Sequence, residues 1–215
     1  MNKEAVLAQI RAEKIVGLVR ADVGDDLAAC AKALADGGVH ALEIAMTTPA
    51  AVRILEKAHA ALPDFIFGLG TVLDVETARA GILAGARFII TPALRPDVIT
   101  LCRRYNVAVI SGAYSPDDIA AAHTAGTDAS KVYPGELFGP AYLTSLRAKV
   151  PAATLIPIGG VTPETLPEFL RAGAAAVFAG ASLLDEATLL ERNWENVSHR
   201  ARAFAAAAAT PLTIS

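Results

Sequence analysis

Asp36-Gly37-Gly38-Val39-His40-Ala41-Leu42-Glu43-Ile44-Ala45-Met46 joins the end of one helical pattern to a short apolar run through a pair of glycines. Glycine is favoured just past a helix because it reaches the left-handed conformation with no Cβ penalty. The same junction returns as Ala84-Gly85-Ala86, Ala125-Gly126 and Ala172-Gly173-Ala174, each leading into another apolar run. Gly37, Gly85, Gly126 and Gly173 stand 41 to 48 residues apart. Each interval holds two strand–helix units of about 20–24 residues, which suits a compact eightfold barrel. Eight runs read as strands: Ile15–Arg20, His40–Met46, Phe65–Leu69, Phe88–Thr91, Val107–Ser111, Ala129–Tyr133, Thr154–Ile158 and Ala176–Ala179. Helical patterns such as Asp25–Asp36, Ala50–Leu62, Asp74–Ala84 and Pro163–Ala172 lie between them. Strict alternation implies parallel strands with right-handed crossovers, and the predicted fold is α/β, a (β/α)8 TIM barrel with a short N-terminal helix. The competing architecture is an open doubly wound sheet. Its G-x-G-x-x-G fingerprint does not follow the first strand, and Gly68-Leu69-Gly70 lacks the third glycine.

Residues 2–12 read as the leading helix, with Val6, Leu7 and Ile10 on one side. The alanine-rich stretch Glu191–Ala209 reads as the last helix, since alanine has the best helix propensity. Pro211 ends it, and 210–215 is expected to be a tail. No linker or low-complexity stretch divides the 215 residues, so 1–215 is expected to form one barrel domain large enough for a sizeable core.

Composition narrows the function. Nineteen basic against 22 acidic residues, for a net charge of −3, leave no electrostatic footprint for nucleic acid. With 53% hydrophobic residues the chain is not disordered. Its longest uncharged stretches, such as Ala172 to Leu184 with its glycine and serine, are too short to span a bilayer. The start, Met1-Asn2-Lys3-Glu4, does not resemble a signal peptide. Cys30 and Cys102 are the only cysteines and form no Cys-x-x-Cys, so a reduced, cytoplasmic setting is expected. His40, His59, His123 and His199 are scattered without an i, i+4 pair, and no metal site is expected.

Chemistry in a barrel gathers at the C-terminal ends of the strands. Within the quoted stretch, alternation puts Leu42, Ile44 and Met46 on one face and Glu43 with Ala41 and Ala45 on the other. The large residues suit the helix layer, which leaves Glu43 inside the barrel with space around it. Lys131 behaves likewise in Ala129-Ser130-Lys131-Val132-Tyr133-Pro134, sharing a face with Ala129 and Tyr133. Desolvation lowers the pKa of a buried lysine toward neutrality, and a neutral amine is what a Schiff-base nucleophile requires. A carboxylate beside it can shuttle protons. Read structurally, the same two residues are a buried ion pair, a weak stability device because desolvation offsets much of the attraction. Among the other strand ends, Arg20 is a candidate to grip a carboxylate or to make a rim salt bridge. Thr71 and Pro92 end strands 3 and 4 as site candidates or as turn chemistry. Gly159-Gly160-Val161-Thr162-Pro163 leads into a helix with Thr162 as its cap, and amides there can cradle an anion.

Over nearly its whole length the chain resembles the 2-keto-3-deoxy-6-phosphogluconate/4-hydroxy-2-oxoglutarate aldolase family. The matching stretches are Gly37 to Ile44, Gly70-Thr71-Val72, Thr91-Pro92, Lys131-Val132-Tyr133-Pro134-Gly135-Glu136, Phe138-Gly139-Pro140 and Pro157-Ile158-Gly159-Gly160-Val161. The resemblance implies a homotrimeric class I aldolase on a TIM barrel without metal or other cofactor. It implies Lys131 as the Schiff-base lysine, Glu43 as the proton shuttle, and Thr71, Pro92 and Tyr133 at the substrate. Three departures stand out. Met46-Thr47-Thr48 replaces a Leu-Arg-Thr segment of many members, and Arg20 fits the role that other branches give to an arginine ending strand 1. Pro157-Ile158-Gly159-Gly160 lacks a hydroxyl where members carry Pro-Thr-Gly-Gly, and Gly180-Ala181 replaces Gly-Ser, with Ser182 one place later.

The expected activity is release of pyruvate and an aldehyde from a 2-keto-4-hydroxy acid. Amides of Gly159, Gly160 and Gly180 with Ser182 are expected to hold an anion weakly, so that phosphorylated and unphosphorylated substrates are both cleaved. The alternatives are a sugar-phosphate epimerase or isomerase on the same barrel, or a non-catalytic trimeric barrel.

Overall fold

A computed structural model of the chain describes residues 1–20 and 23–211. Eight parallel strands form a barrel: β1 (Ile15–Val19), β2 (Ala41–Ala45), β3 (Ile66–Gly70), β4 (Phe88–Thr91), β5 (Ala108–Ala113), β6 (Ala129–Val132), β7 (Leu155–Pro157) and β8 (Val177–Ala179). Ladders run unbroken from β7 through β1 to β8, and a bridge between Ile158 and Phe178 joins the two ends. The open doubly wound sheet is thereby excluded.

Around the strands lie α1 (Lys3–Glu13), α2 (Leu27–Asp36), α3 (Ala51–Ala61), α4 (Val75–Leu83), α5 (Pro96–Arg104), α6 (Pro116–Ala125), α7 (Gly135–Lys149), α8 (Leu166–Arg171), α9 (Glu186–Leu190) and α10 (Trp194–Ala209). Among them no helix is long and apolar enough to cross a membrane.

Alternation along the strands divides the core in two. Leu42, Ile44, Phe67, Leu69, Ile89 and Val109 face the helices. Val16, Leu18, Ile66, Phe88, Ile110 and Phe178 fill the barrel interior. Val6 and Ile10 of α1 are buried in that inner cluster and close the N-terminal end, and Lys3 pairs with Asp128 at 2.9 Å to hold the helix there. Gly68 on β3 makes room for this filling, because a Cβ there would overlap the Phe88 ring.

Three local expectations are corrected. The C-terminal helix does not run from Glu191: Arg192 turns left-handed at φ 54° and Asn193 caps a new helix, its side chain accepting from the Asn196 N–H at 3.1 Å. A capping asparagine outweighs alanine propensity at that point. The helix after β7 begins at Leu166 instead of Pro163. Pro167 in the interior of the longer helix would clash with the carbonyl of Pro163, whereas in the first turn it is tolerated. At the junction before β2 the left-handed residue is Gly38 (φ 90°), and Gly37 serves close packing, since a Cβ there would run into Ala201 of α10. The expected tail lies outside the described residues beyond Pro211.

Both cysteines are free and buried. Burial pushes each thiol up to about 12, which makes them inert packing groups.

Candidate active site

Strands β2 and β6 stand opposite one another, with three strands between them in either direction around the barrel. Each sends one charged side chain inward. They meet across the interior, where Lys131 Nζ donates to Glu43 Oε2 at 2.6 Å. Glu43 is 1% exposed and Lys131 9%. Lys131 Nζ also lies 4.3 Å from the centroid of the Phe178 ring, a position that favours a cation electrostatically.

Two glycines keep this level open. A Cβ on Gly70 would overlap the Glu43 carboxyl group, and one on Gly112 would meet the carbonyl of Pro92. Gly70→Ala is therefore expected to displace the Glu43 side chain and to cost about 1–3 kcal/mol of stability, the usual range for overpacking. A denaturant midpoint equal to that of the wild type would contradict it.

Loss of hydration is the largest influence on Lys131 and sets its pKa below that of an ordinary lysine. The charge and hydrogen bond of Glu43 oppose this, while Arg20 adds to the lowering. Such an amine sheds its proton more readily than a surface lysine, and Glu43 is in place to exchange one. The pair can therefore carry out nucleophilic attack on a carbonyl followed by proton transfer.

The pair forms the floor of a cavity of about 590 Å³ at the C-terminal ends of the strands. Arg20, Thr71, Pro92 and Tyr133 line it with Lys131 and Glu43, so six of the ten residues singled out in the sequence meet in one place. Thr71 holds a left-handed φ of 58°, rare for a β-branched residue and the kind of local strain that accumulates at working sites.

The remaining four do not line this cavity. Gly159 and Gly160 turn with φ of 103° and 66°, and the Glu136 carboxylate lies against Gly159 where a Cβ would be. The Ser182 hydroxyl donates to the Val161 carbonyl at 2.6 Å, and the Gly180 carbonyl accepts from the Leu183 and Leu184 N–H groups. Thr47, Ile90, Leu94, Tyr114 and Asp118 also line the cavity and were not singled out. Asp118 had a readable signal: Ser115-Pro116-Asp117-Asp118 is a capping-box pattern directly after a strand. Among the described residues no three His, Cys, Asp or Glu side chains come together as a metal ion requires.

The sequence profile of the KDPG and KHG aldolases matches residues 6–200. The chain belongs to this aldolase family. It is 29% identical over 192 residues to the 2-dehydro-3-deoxy-6-phosphogalactonate aldolase of Escherichia coli, covering 88% of this chain and 94% of that one. To the 2-dehydro-3-deoxy-phosphogluconate aldolase of Haemophilus influenzae it is 26% identical over 200 residues, covering 93% and 94%. A KDPG aldolase structure from Legionella pneumophila, with pyruvate captured as a covalent carbinolamine, superposes with a TM-score of 0.83 at 25% identity over 92% of this chain and 97% of that one. Aldolases are carbon–carbon lyases, and this aldolase takes that class with its family.

Proposed function

We propose that the protein is a class I aldolase that cleaves a 2-keto-4-hydroxy acid to pyruvate and an aldehyde. The observation that carries this reading is the buried contact of 2.6 Å between Lys131 and Glu43 on the floor of the cavity. Lys131 attacks the C2 ketone to give a carbinolamine, which loses water to become a protonated imine. Glu43, directly or through water, takes the proton of the C4 hydroxyl. The C3–C4 bond breaks, its electron pair flows into the imine, and the aldehyde departs. The enamine left behind gains a proton at C3, and hydrolysis frees pyruvate and Lys131.

Arg20 at the rim is assigned to the substrate carboxylate, whose planar oxygens match a guanidinium fork. Thr71, Pro92 and Tyr133 shape the wall around the keto acid. Borohydride reduction in the presence of pyruvate tests the reading directly: one reduced pyruvyl group on Lys131 supports it, and an unmodified protein refutes it.

The resemblance also implies a homotrimer in the cytoplasm. Sedimentation at micromolar concentration is expected to give three times the chain mass of 22.2 kDa. A species of single-chain mass would contradict it.

A further inference from the structure

Glu43 is not the only group set against Lys131 Nζ: the Phe178 ring has its centroid 4.3 Å away. One arc of the barrel between Lys131 and Glu43 is made by β7, β8 and β1, and Phe178 belongs to its middle strand. On the other arc β3 and β5 bring Gly70 and Gly112 to the level of the pair. One side is thus open and the other holds a ring. Phe178 is fully buried, is paired with Val16 of β1 and is bridged to Ile158. It is not among the residues that line the cavity, so a change of its ring alters the surroundings of Nζ without touching the cavity wall.

A phenyl face carries negative charge density and attracts a cation, most strongly where water is excluded. An aliphatic side chain would fill the same place without that effect. The proposed chemistry makes two demands on Nζ. Attack on the ketone needs a neutral amine, whereas cleavage of the carbon chain needs a positively charged imine as electron sink. Burial serves the first demand by lowering the pKa of Lys131, and it opposes the second. Glu43 balances the positive charge only while it is ionised, and it becomes neutral when it takes the proton of the C4 hydroxyl. A phenyl ring does not titrate and acts throughout. Among the described residues Arg20 is the other charge that bears on Lys131, while Tyr114, Asp118 and Tyr133 line the same cavity. Apart from Glu43 and Lys131, no residue of the eight strands is titratable.

We infer that Phe178 is a further catalytic residue, whose ring face holds the positive charge on Lys131 Nζ both in the free ammonium and in the protonated imine. The imine half of this inference rests on the aldolase reading above, and the ammonium half rests on the geometry alone.

The test replaces Phe178 with mono-, di- and pentafluorinated phenylalanine, which nearly keep the shape of the ring and withdraw charge from its face in steps. Phe178→Leu removes the face and keeps the site apolar. The pH midpoint of Lys131 is read twice: from its Cε resonance in protein carrying isotope-labelled lysine, without pyruvate, and from the pH dependence of pyruvate capture by cyanoborohydride. A cation held over a ring in a dry site is favoured by roughly two- to thirtyfold. Without the ring face the cation is less stable, so both midpoints are expected to fall, by about 0.3–1.5 pH units for the pentafluorinated ring and for Phe178→Leu. The lesser fluorinated rings should fall in between. Above the midpoint, where the free amine is neutral, the fraction of pyruvate held as imine should drop by the same roughly two- to thirtyfold. Below it, where the free and the bonded nitrogen are both charged, it should not change.

A merely structural role gives a different result, because a loosened core that admits water would solvate the ammonium and raise the midpoint. A midpoint that stays or rises across the fluorinated series overturns the inference. That series conserves packing, so it decides the matter even where Phe178→Leu folds poorly. A protein that traps pyruvate with an unmoved midpoint fails this inference alone. One that traps none fails the aldolase reading, and the Cε titration still shows whether the ring holds the charge.

Discussion

Lys131→Ala is expected to abolish covalent capture of pyruvate: with borohydride the wild type gains one reduced pyruvyl group and the variant none. Cleavage should disappear with it, because no other lysine lines the cavity among the described residues. The substitution strands Glu43 in the barrel without its partner, so the comparison needs a melting curve to show that the variant is folded. The rate of capture carries a second signature. Imine formation consumes the neutral amine, and the pKa of Lys131 is lowered by burial. Capture should therefore rise with pH and level off below the value of about 10.4 expected of a solvated lysine. Equal labelling of wild type and variant would remove Lys131 from the mechanism.

Glu43→Gln is expected to keep the fold and lower turnover by about 10²- to 10⁴-fold, the usual worth of a positioned acid–base group. The amide fills nearly the same volume within the space that Gly70 leaves, so packing is conserved while the proton acceptor is lost. The measurement is the cleavage rate beside a thermal unfolding curve. Near-normal turnover in a folded variant would make the pair a structural ion pair, the reading that the sequence leaves open.

The architecture was legible because glycine-ended helices and apolar runs repeat, and because on β2 and β6 one face carries small residues where the other carries larger ones. Glu43 and Lys131 could be found for the same reason, as charges on the small-residue face of strands. What strand alternation does not encode is distance: two residues 88 positions apart meet because strands 2 and 6 are opposite in a closed barrel, and closure is a global property. The glycine loops after β7 and β8 illustrate the reverse problem. Their sequence shows where the chain can turn, but not that the Glu136 carboxylate lies against Gly159 or that the Ser182 hydroxyl donates to the Val161 carbonyl, because those contacts are made between different elements. The break at Arg192 and Asn193 was missed because helix propensity is summed over a stretch, whereas a cap acts at a single residue.

Val6 and Ile10 lay a floor across the N-terminal end of the barrel, so among the described residues the cavity above Lys131 opens at the C-terminal ends of the strands. On the proposed mechanism pyruvate is still bonded to Lys131 when the carbon chain breaks, and it sits behind the aldehyde. That mechanism requires the aldehyde to go out first and, in the synthetic direction, pyruvate to go in first. The order of events is thus dictated by depth instead of by relative affinity, and a helix outside the catalytic end imposes it.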